Sequence, residues 1–296
     1  MSQQTRETPV DAASASAVQE GTLLWVPPAD WQASSNLARY MEWLARSRGR
    51  AFSGYEPLWQ WSVTEIEEFW ASLWEFFQVR AHAPYRRVLA QRRMPGARWF
   101  EGAQLNYAEH ALRRRDGHPA LVAGGEDGQL TVITYEELAR QVAAAAAALR
   151  ELGVRRGDRV VAFLPNIPQA VVAFLATASL GAIWSSCPPE FGIRSVVERF
   201  QQIEPRVLLA VDGYRYSGRP FSRLGEVAEI QRQLPTLAAT VLVRHLGRSE
   251  SGLPAPDAGT AGLSGAVYDW DQLLARHAGS PLAFEPVEFE HPLWVL

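Results

Sequence analysis

Residues Val160 to Gly192 read VVAFLPNIPQAVVAFLATASLGAIWSSCPPEFG, with no charged side chain before Glu190. The apolar run Val160 to Leu164, bounded by Asp158 and Pro165, has the length of a strand buried on both faces. Pro168 suits the first turn of a helix, where its missing N–H costs nothing. Ala170, Phe174, Leu175 and Ala178 then recur at helical spacing until Gly181 closes the element. A second apolar run, Ala182 to Ser186, follows and stops at Cys187-Pro188-Pro189. Strand, helix and strand within about 30 residues make one crossover unit of a parallel sheet. A membrane-spanning helix needs roughly 20 unbroken apolar residues. Pro165, Asn166, Pro168, Gln169 and Gly181 interrupt this run, so it reads as buried core, and no membrane partner is expected.

Downstream, Val196, Val197, Phe200 and Ile203 mark a helix stopped by Pro205, and Val207 to Val211 is a buried strand. Asp212 to Phe221, DGYRYSGRPF, reads as a polar loop at that strand's carboxyl end. A helix over Leu224 to Leu234 and a strand over Thr240 to Val243 follow. Residues 247 to 265, dense in Gly, Ser, Pro and Ala, read as a flexible loop. Tyr268 to Ala278 gives a strand end and a short helix, and Pro292 precedes a last apolar run, Leu293 to Leu296. Upstream, Ala120 to Ala123 and Leu130 to Thr134 form a hairpin about Gly124 to Gly128. Thr134 and Glu137 open a helix that Gly153 closes.

Alternation of strands and helices predicts an α/β fold, a mostly parallel sheet with helices on both faces. Ligands of such sheets bind beyond the carboxyl ends of the strands. That rule points to two loops, Cys187 to Gly192 and Asp212 to Phe221.

The N-terminal part is different. Residues 1 to 20 read as a disordered leader, and residues 21 to 115 as a helical, aromatic-rich segment. Most of the eleven tryptophans fall before residue 100. Asn36 is the expected cap of a helix with the stripe Leu37, Tyr40, Met41 and Leu44. Gly54 to Trp61 reads as an aromatic connector. Thr64 and Glu67 form a capping box ahead of Phe69, Trp70, Leu73, Trp74 and Phe77. That stripe is a packing face in preference to a ligand platform. Trp99 to Tyr107 reads as a docking loop entering a short helix that ends near Arg115.

The chain has 296 residues, 47% hydrophobic and 21% charged, a formal net charge of −3 and a pI near 6.1. That balance makes no electrostatic case for a nucleic-acid partner. The lone Cys187 excludes an internal disulfide and fits a reducing cytoplasm. No secretory pattern occurs in residues 1 to 20. There is no lysine, so all 29 basic residues are arginine. Chemistry that grips phosphate with an ammonium therefore has no residue here.

No self-contained catalytic motif is present. Both Gly-rich phosphate-loop forms are missing, the six histidines are scattered without metal spacing, and no serine sits in a nucleophile elbow. Cys187 reads as a buried structural thiol more than a nucleophile. In Tyr214-Arg215-Tyr216-Ser217-Gly218-Arg219, arginine forks suit phosphate and tyrosine rings suit stacking on a base. A solvated surface turn explains the same stretch equally well.

Several stretches together resemble the acyl-CoA synthetases of the adenylate-forming superfamily. They are LARYMEWLARSRG (37 to 49), YEPLWQWSVTEIEEFWASLWEFF (55 to 77), ARWFEGAQLNYAEH (97 to 110) and GAIWSSCPPEFG (181 to 192). The first two are similar to the acetoacetate-activating branch, and the third is shared with acetyl- and propionyl-CoA synthetases. The resemblance implies acetoacetate, coenzyme A and magnesium-bound ATP as small-molecule substrates. It also implies an incomplete AMP-binding domain over residues 116 to 296. An Arg-Ala-Gly-Arg stretch contacts the nucleotide end of coenzyme A in acetyl-CoA synthetases; here the matching positions are Tyr216, Ser217, Gly218 and Arg219. Only Gly218 and Arg219 are retained, which leaves Arg219 as the implied phosphate contact. The family's Phe-Gly-Gly wall matches Pro188, Pro189 and Glu190, which differ. The family's lysine-bearing phosphate loop follows a strand like Leu293 to Leu296. The ATP site and the catalytic groups are therefore expected beyond this sequence, with no catalytic residue and no metal ligand within it. On that expectation the chain is the N-terminal portion of such a ligase and is inactive alone. Other readings are a non-catalytic coenzyme A-binding or interaction module, or part of an acetyl- or propionyl-activating enzyme.

Overall fold

The computed structural model describes residues 18–126, 128–246 and 262–296. The expected leader falls mostly outside these residues, as does most of the expected loop 247 to 265. The chain divides into two compact units, Met1–Phe76 and Phe77–Leu296, so residues 77 to 115 of the expected helical segment lie with the larger unit.

The first unit is built from helices α1 (Ala29–Ser34), α2 (Asn36–Arg48), α3 (Tyr55–Thr64) and α4 (Ile66–Phe76). The cap of α2 is Ser35 rather than Asn36: its hydroxyl accepts from the Ala38 N–H at 3.1 Å, with Ser35 in extended geometry between two helices. The stretch from Gly54 to Trp61, expected as a connector, is the body of α3. Pro57 is tolerated there because it lies in the first turn, and Leu58 and Trp61 share the buried face. Thr64 closes α3 rather than capping α4, since its hydroxyl donates back to the Gln60 carbonyl at 3.0 Å. Only part of the expected aromatic stripe packs inside this unit: Phe69 and Leu73 lie against its core, whereas Trp70 is 41% exposed and Phe77, 50% exposed, belongs to the larger unit. Tyr40, Leu44, Leu58 and Trp61 form that core, with Phe52, Phe69, Leu73 and Phe76 against them. Tyr40 and Phe76 meet edge to face at 5.1 Å, and the Tyr40 hydroxyl bonds to the fully buried Ser72 hydroxyl.

The second unit opens with an antiparallel pair, β1 (Arg87–Gln91) and β2 (Arg98–Glu101), followed by the short α5 (Tyr107–Ala111). That helix stops four residues before Arg115. A hairpin, β3 (Pro119–Gly124) and β4 (Leu130–Thr134), leads into α6 (Tyr135–Glu151), capped by the Thr134 hydroxyl on the Glu137 N–H at 3.2 Å. Then come β5 (Arg159–Phe163), α7 (Pro168–Ser179), β6 (Ile183–Cys187), α8 (Ile193–Gln201) and β7 (Val207–Val211). The expected polar loop is instead a second hairpin, β8 (Gly213–Tyr216) and β9 (Arg219–Ser222). The chain continues through α9 (Leu224–Gln233), β10 (Ala239–Val243), β11 (Val267–Asp269) and α10 (Trp270–Arg276).

Five parallel strands form one sheet in the order β11-β10-β7-β5-β6. All five residues of β7 and of β10 are buried, because helices cover both faces. Alternate residues enter separate cores. Val160, Ala162, Val207 and Leu209 face α6, α7 and α10, whereas Val161, Phe163, Leu208 and Ala210 face α8 and α9. Leu293 to Val295 run along β6 as a further parallel segment, with Trp184 bridged to Trp294. No helix among the described residues is long and apolar enough to cross a membrane.

Candidate functional site

The helix after β5 lies on one face of the sheet, and the helix after β7 on the other. Adjacent strands whose chains depart to opposite faces leave a crevice at their carboxyl ends, the usual ligand position in open α/β sheets. At this edge β5 ends in Pro165 to Pro168, and β7 ends at Asp212. The two loops expected to bind ligand leave β6 and β7, which flank β5, so their roots are about 10 Å apart.

Asp212 is 2% exposed. Its Oδ1 accepts from the His245 and Leu246 N–H groups at 2.8 and 2.9 Å, which ties the end of β7 to the chain after β10. Among the described residues its buried Oδ2 has no hydrogen-bond partner, a costly arrangement for a carboxylate. Arg223 donates its backbone N–H to the Asp212 carbonyl at 2.8 Å. The Arg223 guanidinium bonds to the Tyr214 hydroxyl at 3.0 Å and to Glu226 at 2.5 Å. Burial alone would lower its pKa, but these two partners outweigh burial and raise it. The sequence marks Asp212 only as the start of an expected ligand loop and gives its carboxylate no role; an acidic residue directly after an all-apolar strand is the available signal.

The β8–β9 hairpin projects from this edge. Tyr214 stacks on Phe221 with ring centres 5.5 Å apart, and Arg223 lies 5.1 Å from the Tyr214 ring centre. Gly213 is required by close approach: a Cβ there would collide with the Phe221 carbonyl and the Leu246 side chain. Ser217 and Gly218 adopt φ of +50° and +72°, the left-handed pair of a two-residue hairpin turn whose twist matches the strands. Tyr216 and Arg219 pair across it. Strand alternation then places Tyr214, Tyr216, Arg219 and Phe221 on one face and Arg215 on the other.

A two-residue turn leaves its two central N–H groups outside the ladder. Both are taken by Glu126, in the turn between β3 and β4. Its Oε1 accepts from Ser217 N–H at 2.6 Å, and its Oε2 from Gly218 N–H at 2.8 Å. No local motif marks Glu126, because its partners are some 90 residues away in sequence.

The other expected loop is a tight turn, with the Phe191 N–H donating to the Pro188 carbonyl at 3.1 Å. Pro188 is partly buried, Pro189 buried and Glu190 exposed. Cys187 is 2% exposed; burial pushes its thiol pKa up, against the opposing pull of Arg199. Among the described residues, no hydrogen bond, ion pair or ring contact joins residues 188–192 to the β8–β9 hairpin. The structure therefore groups Tyr216, Ser217, Gly218 and Arg219 and leaves Pro188 and Glu190 on a separate loop. Among the described residues no group of three or more His, Cys, Asp or Glu side chains is placed to hold a metal.

Residues 55–111 match the family described as acetyl-coenzyme A synthetase N-terminus. The acetoacetyl-coenzyme A synthetase of Rhizobium meliloti (strain 1021) is 37% identical over 273 residues, 92% of this chain and 40% of that protein. The acetoacetyl-CoA synthetase of Rattus norvegicus is 33% identical over 94% of this chain and 41% of its own length. The solved acetoacetyl-CoA synthetase from Streptomyces lividans superimposes with a TM-score of 0.83 at 50% identity, over 92% of this chain and 40% of that one. The chain thus spans about 40% of the length of these relatives. The family described as AMP-binding enzyme matches residues 108–273, more than half of the 296 residues, and the chain belongs to that family.

Proposed function

We propose that this chain is the N-terminal portion of an acetoacetate–CoA ligase, which forms acetoacetyl-CoA, AMP and diphosphate from acetoacetate, ATP and coenzyme A. The observation that carries this reading is the 50% identity and matching fold with the Streptomyces lividans acetoacetyl-CoA synthetase over 92% of the chain. Its contribution is a rigid parallel sheet with a hairpin at the carboxyl edge. The Ser217 and Gly218 amides and the Arg219 guanidinium hold a phosphate at the nucleotide end of coenzyme A, with Tyr216 alongside. The Pro188–Glu190 turn borders the same ligand. The fit rests on the turn itself, whose paired amides already hold an anionic oxygen pair, that of Glu126. Coenzyme A supplies the thiol that accepts the acyl group.

For magnesium-bound ATP no cradle is assigned among the described residues. The sequence has no lysine, and transferring phosphate needs preorganised positive charge. The isolated chain is accordingly incompetent in adenylation. We place it in the cytoplasm, with small molecules as its partners. The test is an in-frame fusion of this chain to the remaining C-terminal part of the Streptomyces lividans relative. The fusion is expected to make acetoacetyl-CoA, and the chain alone is expected to give no ATP–diphosphate exchange. Exchange by the chain alone, or a folded fusion without ligase activity, overturns the proposal.

A second reading, a coenzyme A-binding module without catalysis, draws on the anion-holding turn lying entirely within this chain. Calorimetry with coenzyme A and the full chain separates it from the first, since only this reading requires binding in the absence of the C-terminal part.

A further inference from the structure

The turn of β3–β4 and the turn of β8–β9 are joined through one side chain. Glu126 spans both free amides of the second turn, one carboxylate oxygen to each, at 2.6 and 2.8 Å. Two converging N–H groups that accept a pair of anionic oxygens in this way present the geometry that also receives two oxygens of a phosphate. Glu126, Ser217 and Gly218 are all exposed, so the contact can open without unpacking the core. A hairpin turn that merely needed solvation would be satisfied by water.

We propose that Glu126 is an internal competitor for the anion site at Ser217–Gly218. A phosphate group enters only when the carboxylate leaves, and the β3–β4 turn is released from the hairpin in the same step. This rests on the reading of the turn as a phosphate contact and adds its regulation: the closed form is self-liganded, and a phosphorylated ligand opens it. Arg219, beside the turn, favours the exchange because phosphate carries more negative charge than a carboxylate.

The test follows the amide resonances of Ser217 and Gly218 in the ¹⁵N-labelled 296-residue chain during titration with inorganic phosphate. It is run on the wild type and on Glu126→Gln and Glu126→Ala. Exposed charge-assisted bonds of this kind predict half-saturation at about three- to tenfold lower phosphate in both variants. Equal midpoints in all three proteins, or no phosphate-dependent shift in any, overturn the proposal. Repeating the titration with coenzyme A distinguishes the two claims. If the variants take up phosphate more readily while coenzyme A binds no better than phosphate, the competition stands and the coenzyme A assignment fails.

Discussion

Trp184 and Trp294 are partners in a parallel bridge along the outer edge of β6. The Trp184 N–H donates to the Leu293 carbonyl at 3.1 Å, and its own carbonyl accepts from Val295 N–H at 2.8 Å. Phe174 of α7 touches both indoles, with ring centres 6.1 Å from Trp184 and 5.0 Å from Trp294. Trp184 is 2% exposed and Trp294 44%, so the two residues differ in what their loss removes. Trp184→Ala is expected to destabilise the chain by about 3–5 kcal/mol through a core cavity. Trp294→Ala is expected to cost about 1–2 kcal/mol in area and ring contact. Urea unfolding of both variants, followed by far-ultraviolet circular dichroism, checks the ranking; a reversed order contradicts it.

Asn106 is fully buried and joins three segments. Its amide donates to the Ala178 and Glu285 carbonyls, both at 2.8 Å, and its oxygen caps α5 through the Ala108 N–H at 2.9 Å. Asn106→Ala removes the α5 cap and the donor to the Glu285 carbonyl, while the Ala178 carbonyl keeps the Gly181 N–H at 3.0 Å, an expected loss of about 1–3 kcal/mol. Asn106→Asp keeps the cap but turns a carboxylate toward those carbonyls, so it is expected to be at least as damaging at neutral pH. A stability close to wild type for Asn106→Asp, in the same denaturation assay, counts against this account.

Arg219 and Arg215 sit on opposite faces of the hairpin, which makes one the control for the other. If the face carrying Tyr216 and Arg219 receives coenzyme A, Arg219→Ala weakens binding about tenfold through loss of a charge-assisted contact. Arg215→Ala leaves it within about twofold, as expected for a screened charge not in contact with the ligand. Calorimetry on the full chain reads both. Equal losses in the two variants indicate a general electrostatic attraction and remove the assignment to one face.

Cys187 is the only thiol of the chain and is shielded at the end of β6. Its raised folded-state pKa means that its contribution to stability is complete below the unfolded thiol's pKa. That contribution is lost as pH rises through the folded value. At about pH 8.5, where a free thiol is half ionised, the native chain is expected to resist a thiol-reactive disulfide reagent and the urea-unfolded chain to react stoichiometrically. Rapid labelling of the native protein is the outcome that excludes a structural role.

The sheet was legible wherever one element's own pattern was enough. The run Val207 to Val211 coincides with β7, Pro168 opens α7, and Thr134 caps α6, because burial on both faces, a missing N–H and a capping hydroxyl are local facts. Errors arose where two elements competed for one residue. Ser35, not Asn36, caps α2 because it also ends α1. Thr64 bonds backwards into α3 because the chain breaks at Glu65. Asp212 to Phe221 looked polar and irregular, yet the left-handed geometry of Ser217 and Gly218 folds it into a hairpin.

By itself the sequence determined the alternation of strands and helices, the absence of any lysine, and the two loops at the carboxyl ends of β6 and β7. Those features follow from period, composition and chain order. Only the tertiary structure decided that Glu126 occupies the turn amides, that Asp212 ties the end of β7 to the chain after β10, and that Leu293 to Val295 align beside Trp184. Each of these depends on groups far apart in the chain. Their meeting is fixed by the packing of the whole sheet, and no local spacing encodes it.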